Sequence, residues 1–294
     1  MRNTFKGELV DLTTWQAGGE YFRYCDQNIF YRCEGQGPVI LLIHGFPTAS
    51  WDWYKLMPTL SQHYQCVCLD LLGFGFSDKP SKPYRIKEQA QICLALLEHL
   101  NINECHLVSH DYGDTVAQEL IALYEQGLPK VEFKSLVTLN GGLFPETHHP
   151  VLVQKLLLSP LGFLLTPFLG EHTLAKNLTK IFGKNTPPSA GELQNFWQLM
   201  ARANGHKIMH KIIYYMTERK INRARWVGAL QQTTVPLRHV NGADDPISGR
   251  HLAKRYQELI PNPDVVLLDD VGHYPQVESP EKVSNAILQF IAQY

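Results

Sequence analysis

The sequence predicts an α/β fold, a mostly parallel eight-stranded sheet with helices on both faces and an inserted helical cap. Three observations predict it. Short continuous apolar runs alternate with segments of helical period, as strands buried on both faces and their crossover helices do. The alternation breaks once, between residues 143 and 230, and then resumes. Four of the runs end in loops bearing a carboxylate or a histidine, and the carboxyl ends of strands are where such sheets gather their working residues.

Residues 21–25 and 29–33, separated by Asp26-Gln27-Asn28, read as an opening antiparallel hairpin. Residues 39–43 are a buried strand that ends in His44-Gly45-Phe46-Pro47, and a helix is expected over 50–61. Residues 66–69 form the next strand, followed by a glycine-punctuated loop over 70–78 and a helix over 86–100, with Ile92, Ala95, Leu96 and Leu100 at helical spacing. A strand over 105–108 leads into Ser109-His110-Asp111-Tyr112-Gly113-Asp114, with a helix from about Thr115 to Gln126. A strand over 131–139 closes on Asn140-Gly141-Gly142. After the break come a strand over 235–240, a helix over 252–259, a strand over 265–268 and a closing helix over 282–292. The expected division is a core of residues 1–142 and 231–294, with a helical cap of residues 143–230 inserted after the sixth strand.

A chain of 294 residues is long enough for one large domain with such an insertion. The formal net charge of -1 gives no electrostatic reason to expect nucleic acid as a partner. The six cysteines show no metal-type pairing of CxxC motifs, and Cys66 and Cys68, two apart in a strand, point to one face as buried reduced thiols. Residues 1–8 contain no apolar segment, so no secretory signal or anchor is expected there, and the expected setting is reducing and cytoplasmic. The apolar run 151–169 is interrupted by Lys155, Pro160 and Pro167, whereas a membrane-spanning helix needs about 20 apolar residues. Cap helices are therefore expected, with no transmembrane segment, and peripheral lipid contact by the cap is the one membrane role left open.

Asp111 occupies the tip of a strand-to-helix turn, with the small residues Ser109 and Gly113 two positions to either side. That spacing suits an elbow in which strand and helix backbones come too close for larger side chains and the central residue stands exposed above the sheet. A carboxylate there can displace a leaving group at a saturated carbon, giving an ester that water then hydrolyses. The alternative is a turn residue that tolerates strain near a helix N-terminus. The other strand-end loops are His44-Gly45-Phe46-Pro47, Asn241-Gly242-Ala243-Asp244-Asp245-Pro246 and Asp269-Asp270-Val271-Gly272-His273-Tyr274. Together they supply nucleophile, acid and histidine in the chain order of one well-known triad.

On these residues the chain resembles the α/β-hydrolase family over nearly its whole length, and the elbow resembles the aspartate-nucleophile branch of epoxide hydrolases and haloalkane dehalogenases. The elbow string, the stretch from Asn140 to His148 and Arg225-Trp226-Val227-Gly228-Ala229-Leu230 resemble the mesoderm-specific transcript proteins of that branch. The resemblance implies an α/β-hydrolase fold, no cofactor and no metal. It implies Asp111 as nucleophile, His273 as the base that activates water and Asp245 as its acid partner, the Gly-x-x-Asp-Pro pattern selecting Asp245 over Asp244. Asn140, where some relatives keep the acid, cannot serve as one. Backbone N–H groups of Phe46 and Tyr112 stand in the family's oxyanion-hole positions. His44 is expected to shape its loop, and Asp114 to complement the helix dipole.

The leaving group separates the readings. A halide needs neutral N–H donors, and Tyr112 and Phe46 offer none from their side chains, which leaves Trp226 as a single donor. An epoxide oxygen needs a proton, for which Tyr215, and after it Tyr214, is the candidate, with aromatic packing the alternative for both. The expectation is a cofactor-independent, epoxide hydrolase-like enzyme acting on a small apolar organic substrate and water. A haloalkane dehalogenase is the alternative enzyme. A ligand-binding or scaffold protein on a hydrolase fold is the alternative of another class. Ester hydrolysis would want Ser or Cys at position 111, and Ser109 lies two residues early.

Overall fold

Eight strands form a single sheet in a computed structural model that describes residues 9–294, so the reading of residues 1–8 lies outside the described residues. They are β1 (Glu20–Tyr24), β2 (Gln27–Glu34), β3 (Val39–Ile43), β4 (Gln65–Leu69), β5 (Glu104–His110), β6 (Glu132–Leu139), β7 (Leu237–Gly242) and β8 (Asp264–Leu268). Their order is β1-β2-β4-β3-β5-β6-β7-β8. Only the β1–β2 and β2–β4 pairings are antiparallel. β3, β4 and β5 occupy the middle, and Ile40 to Ile43, Cys66 to Leu69 and Leu107 to His110 are all buried, as continuous apolar runs require of strands covered on both faces.

Three local expectations need correction. The hairpin turn is Cys25-Asp26, two residues and not three, because Asn28 is held in β2 by its N–H donating to Asp78 Oδ2 at 2.7 Å. The helix expected over 50–61 is two pieces, a 3-10 turn Ser50–Trp53 and a helix Met57–Leu60. Pro58 has no N–H to continue the first piece and instead opens the second. The elbow helix is Tyr112–Tyr124, starting three residues before the expected Thr115, and β5 runs on through Ser109 and His110. A short helix, Leu12–Ala17, was not foreseen; Asp11 caps it by accepting the Thr14 N–H at 2.9 Å.

The elbow helix is buried from Tyr112 to Leu123, packed against helices Ile86–His99 and Arg223–Gln232. Val116, Leu120 and Ile121 are fully enclosed, each side chain contributing about 1.5–3 kcal/mol of apolar burial. The regular elements between β6 and β7 are all helices, the main ones Leu152–Leu158, Glu171–Ile181, Ala190–Ala201, Tyr215–Ile221 and Arg223–Gln232. The run 151–169 is cut as its prolines dictate, into Leu152–Leu158, Gly162–Leu165 and the 3-10 turn Thr166–Phe168. Among the described residues no helix is long and apolar enough to cross a membrane.

Candidate active site

Asp111 sits between β5 and the elbow helix with φ +46° and ψ −102°, a conformation outside the regions a side chain ordinarily adopts. The elbow is held tight around it. A Cβ on Gly113 would lie 2.2 Å from the Ile43 carbonyl oxygen, so only glycine lets the helix pass the end of β3 at this distance. Asp111 is 2% exposed, and its Oδ2 accepts the Phe46 N–H at 3.1 Å. Burial alone would push this carboxyl up, but the Arg219 guanidinium and then His273, with the Phe46 N–H, outweigh it and hold it below the usual carboxylate value. Tyr112, the first helical residue, has an N–H with no partner within the helix.

Asp114 does more than face a helix dipole. It is fully buried, accepts the Ser109 hydroxyl at 2.6 Å, and is pushed well above the usual carboxylate value, first by burial. Ser109 is thereby committed to Asp114 beneath the elbow. His44 donates from Nδ1 to the Gly45 carbonyl at 2.8 Å and accepts the Leu71 N–H on Nε2 at 3.0 Å, which fixes its neutral form and shapes its loop.

Asp245 and His273 come together as expected, with Nδ1 donating to Oδ2 at 2.7 Å. Asp245 Oδ2 also accepts from Ser248 Oγ at 2.7 Å and Asn140 Nδ2 at 3.0 Å, and Oδ1 accepts the Ile247 N–H at 2.7 Å. Asn140, at the end of β6, is thus a donor to the acid. Burial would raise Asp245, but His273 first, then Asn140 and Ile247, hold it down at about 2. His110 donates from Nε2 to the His273 carbonyl at 2.8 Å and so fixes the histidine's backbone. Glu278 fixes the same loop. It accepts the N–H groups of Gly272 (2.8 Å), Tyr274 (2.9 Å) and Gly183 (2.8 Å) and the Thr186 hydroxyl (2.5 Å).

Two residues of the helical segment that were expected near Asp111 lie elsewhere. Trp226 donates its indole N–H to Glu119 at 2.6 Å, on the side of the elbow helix where Arg225 also pairs with Glu119, so it reaches no leaving group. Tyr214 lies against the Arg85 guanidinium, 4.5 Å from its ring centre, beside Ser81 and Lys82. Tyr215 alone of the three reaches the site: it is fully buried, its ring packs on Tyr112 and Phe46 at 4.9 and 5.9 Å, and its hydroxyl has no partner.

A family model described as alpha/beta hydrolase fold matches residues 38–280. The chain belongs to the α/β-hydrolase family. This hydrolase is 40% identical to the human mesoderm-specific transcript homolog protein over 96% of its own length and 88% of that protein's. It is 26% identical to the AB hydrolase superfamily protein YfhM of Bacillus subtilis, over 87% of its length and 90% of that chain. Among solved structures, a loop variant of the haloalkane dehalogenase DbeA from Bradyrhizobium elkanii superposes with a TM-score of 0.79 at 21% identity, covering 94% of this chain and 96% of that one. At that identity the shared property is the fold.

In the hydrolase, an apolar cavity lies above the sheet, lined by Leu157, Leu174, Leu178, Ile181, Met200 and Met209 from the helical segment and by Phe46 and His273 from the core. Reasoning from sequence missed two site residues, Arg219 and His148. Arg219 donates from Nη2 to the Asp111 carbonyl at 2.9 Å and approaches Oδ1 at 3.5 Å. No short-range signal marked it, because Arg219 stands in the polar stretch Thr217-Glu218-Arg219-Lys220.

His273 is raised to about 9: burial disfavours the imidazolium, but the charge and hydrogen bond of Asp245, then Asp111 and Glu278, outweigh it. A folded value above the unfolded 6.5 stabilises the fold fully below about pH 6.5, and the gain is lost as pH rises through about 9. Urea melts from pH 6 to 10 are expected to show the difference in stability between wild type and His273→Gln shrinking across that interval; a constant difference would contradict the pairing.

Proposed function

We propose that this hydrolase works through a covalent ester on Asp111, in the manner of an epoxide hydrolase. The observation that carries the reading is the Phe46 N–H on Asp111 Oδ2. The oxygen that would become the ester carbonyl already rests on a donor suited to an oxyanion, while His273 lines the cavity above with Asp245 behind it. Asp111 Oδ1 attacks a saturated carbon of the substrate, the ring C–O bond breaks, and the departing oxygen takes a proton from Tyr215. Burial and the charge of Asp111 push the Tyr215 hydroxyl up, so it enters the reaction protonated.

Ester formation removes the charge of Asp111 that helps to keep His273 protonated. His273 then falls towards its ordinary value, passes its proton through solvent to the Tyr215 oxygen, and can take a new one from the water that attacks the ester carbonyl. The Phe46 and Tyr112 N–H groups hold the resulting oxyanion; its collapse breaks the bond to the product oxygen, which takes up the second proton of that water, and frees Asp111. The dehalogenase alternative is weakened because Trp226 is committed to Glu119. Single turnover with a panel of epoxides in oxygen-18 water is expected to put label into Asp111. Product formed with label only in the diol would overturn the covalent step, and no turnover or adduct across epoxides, haloalkanes and activated esters would favour a binding or scaffold protein.

Within the same reading, residues 143–230 act as a cap over a core of residues 1–142 and 231–294, supported by the cavity they share. The cap presents Leu152, Leu161, Phe163, Leu164 and Phe168, the last 81% exposed, on the stretch 152–168, whose first helix, Leu152–Leu158, also lines the cavity through Leu157. That continuity supports peripheral contact with a lipid surface from which an apolar substrate enters. Co-sedimentation with phosphatidylcholine vesicles is expected for the full chain and not for Phe163→Ser/Phe168→Ser; equal sedimentation of both would exclude this face. A reducing, cytoplasmic setting is supported by the six cysteines, all free thiols.

A further inference from the structure

In the chemistry above the Arg219 guanidinium serves only to keep Asp111 ionised before the attack, and it is 2% exposed beside the reacting carboxylate. Nε donates to Thr115 Oγ1 at 2.7 Å, Nη2 is taken by Asp111, and Nη1 has no partner. Two more orphans surround it. The Tyr215 ring lies 4.5 Å from the guanidinium carbon, and its hydroxyl, which leans on that guanidinium, has no other partner. His148 has both ring nitrogens buried and unpaired. A Cβ on Gly142 would sit 2.3 Å from Arg219 Nη1 and 3.1 Å from His148 Nδ1, so both side chains border the space that this glycine leaves. Buried polar groups are nearly always paired, and three orphans around one fixed cation point to a partner from outside the chain.

Charge balance gives the partner's sign. While Asp111 is ionised it neutralises Arg219; once it is an ester, the guanidinium is a buried cation without a counter-charge, which is strongly unfavourable. Arginine does not give up its proton, so it cannot serve a leaving oxygen as an acid, but it matches a planar carboxylate well. We propose that Arg219, flanked by Tyr215 and His148, is a subsite for the carboxylate of an alkyl carboxylate, with the alkyl chain in the apolar cavity. Such a group, on the substrate or formed from it, restores the charge that esterification removes. The timing of that restoration rests on the Asp111 ester; binding at the subsite does not.

The test uses hexanoate and hexanol as probes, titrated calorimetrically into the full chain at pH 7. Asp111→Asn removes the competing carboxylate and should tighten hexanoate binding by about tenfold or more, while hexanol is unchanged. Adding Arg219→Gln should reverse that gain, and Arg219→Lys should keep part of it. Asp111→Asn/His273→Gln should retain the gain. Its loss would assign the anion to the His273 imidazolium and overturn the proposal. Equal hexanoate affinity in wild type and Asp111→Asn, or equal tightening of hexanol, would also overturn it, and neither comparison needs Arg219 altered. Because Asp111→Asn has no nucleophile, these outcomes are independent of whether the covalent step is correct.

Discussion

His273→Gln is expected to accumulate a substrate adduct on the peptide that contains Asp111. Steady-state turnover should fall by a factor of about 10² to 10⁴, the range assigned to a positioned base. The two half-reactions proposed for Asp111 differ in what they need. Alkylation needs an ionised Asp111, which Arg219 and the Phe46 N–H maintain without the histidine. Hydrolysis needs a base beside the ester, and among the groups that face Asp111 the others are poor ones. His110 and His148 are each lowered to about 3, chiefly by burial, and Arg219 stays charged. Intact-protein mass spectrometry after incubation with an epoxide reads the adduct directly. A variant that lost activity without ever carrying an adduct, while still binding substrate, would show that the histidine acts before the carbon is attacked.

Asp245→Ala is expected to cost about 3–5 kcal/mol of stability, because it leaves one partner of a buried ion pair uncompensated. The loss does not end with His273. Ser248 Oγ, Asn140 Nδ2 and the Ile247 N–H all donate to this carboxylate and would be left buried without an acceptor. Asp245→Asn keeps the volume and one acceptor oxygen, so it should unfold closer to wild type while turnover falls by about 10⁴, the size of effect seen when a triad histidine is held in the wrong tautomer. Denaturant melts of the two variants beside their rates separate the roles. Equal loss of stability in both would mean that the carboxylate matters to the fold only through its charge.

How much of this was legible in the sequence follows the physics of each signal. Strands buried on both faces announce themselves as apolar runs, and β3 to β8 all fall where such runs stand. The small residues around Asp111 and the order of the strand-end loops were equally plain, because tight backbone approach and chain order are properties of the sequence itself. Boundaries shifted where a backbone group found an unforeseen partner or lost one, as at Asn28 and Pro58. Arg219, His148 and the fate of Trp226 were not legible. Each is decided by which face of a helix between β6 and β7 meets the elbow helix, and no short-range pattern encodes that. Glu119 illustrates the difficulty: a carboxylate on the elbow helix reads as a solvent residue, yet it is buried and holds both Arg225 and Trp226.

The four donors around Glu278 have a mechanical meaning. Two of them, Gly272 and Tyr274, flank the histidine, while Gly183 and Thr186 follow helix Glu171–Ile181 of the insertion. Gly272 also lies so close to that crossing that a Cβ on it would meet the Ile181 carbonyl at 2.4 Å. If residues 143–230 act as the proposed cap, its rear is riveted to the loop of His273, and an opening over the cavity would swing its front, residues 151–169, about that rivet. Amide exchange should find the front hinge-like and fast, the stretch 178–186 as slow as the β-sheet, and Glu278→Gln should release the second without changing the first.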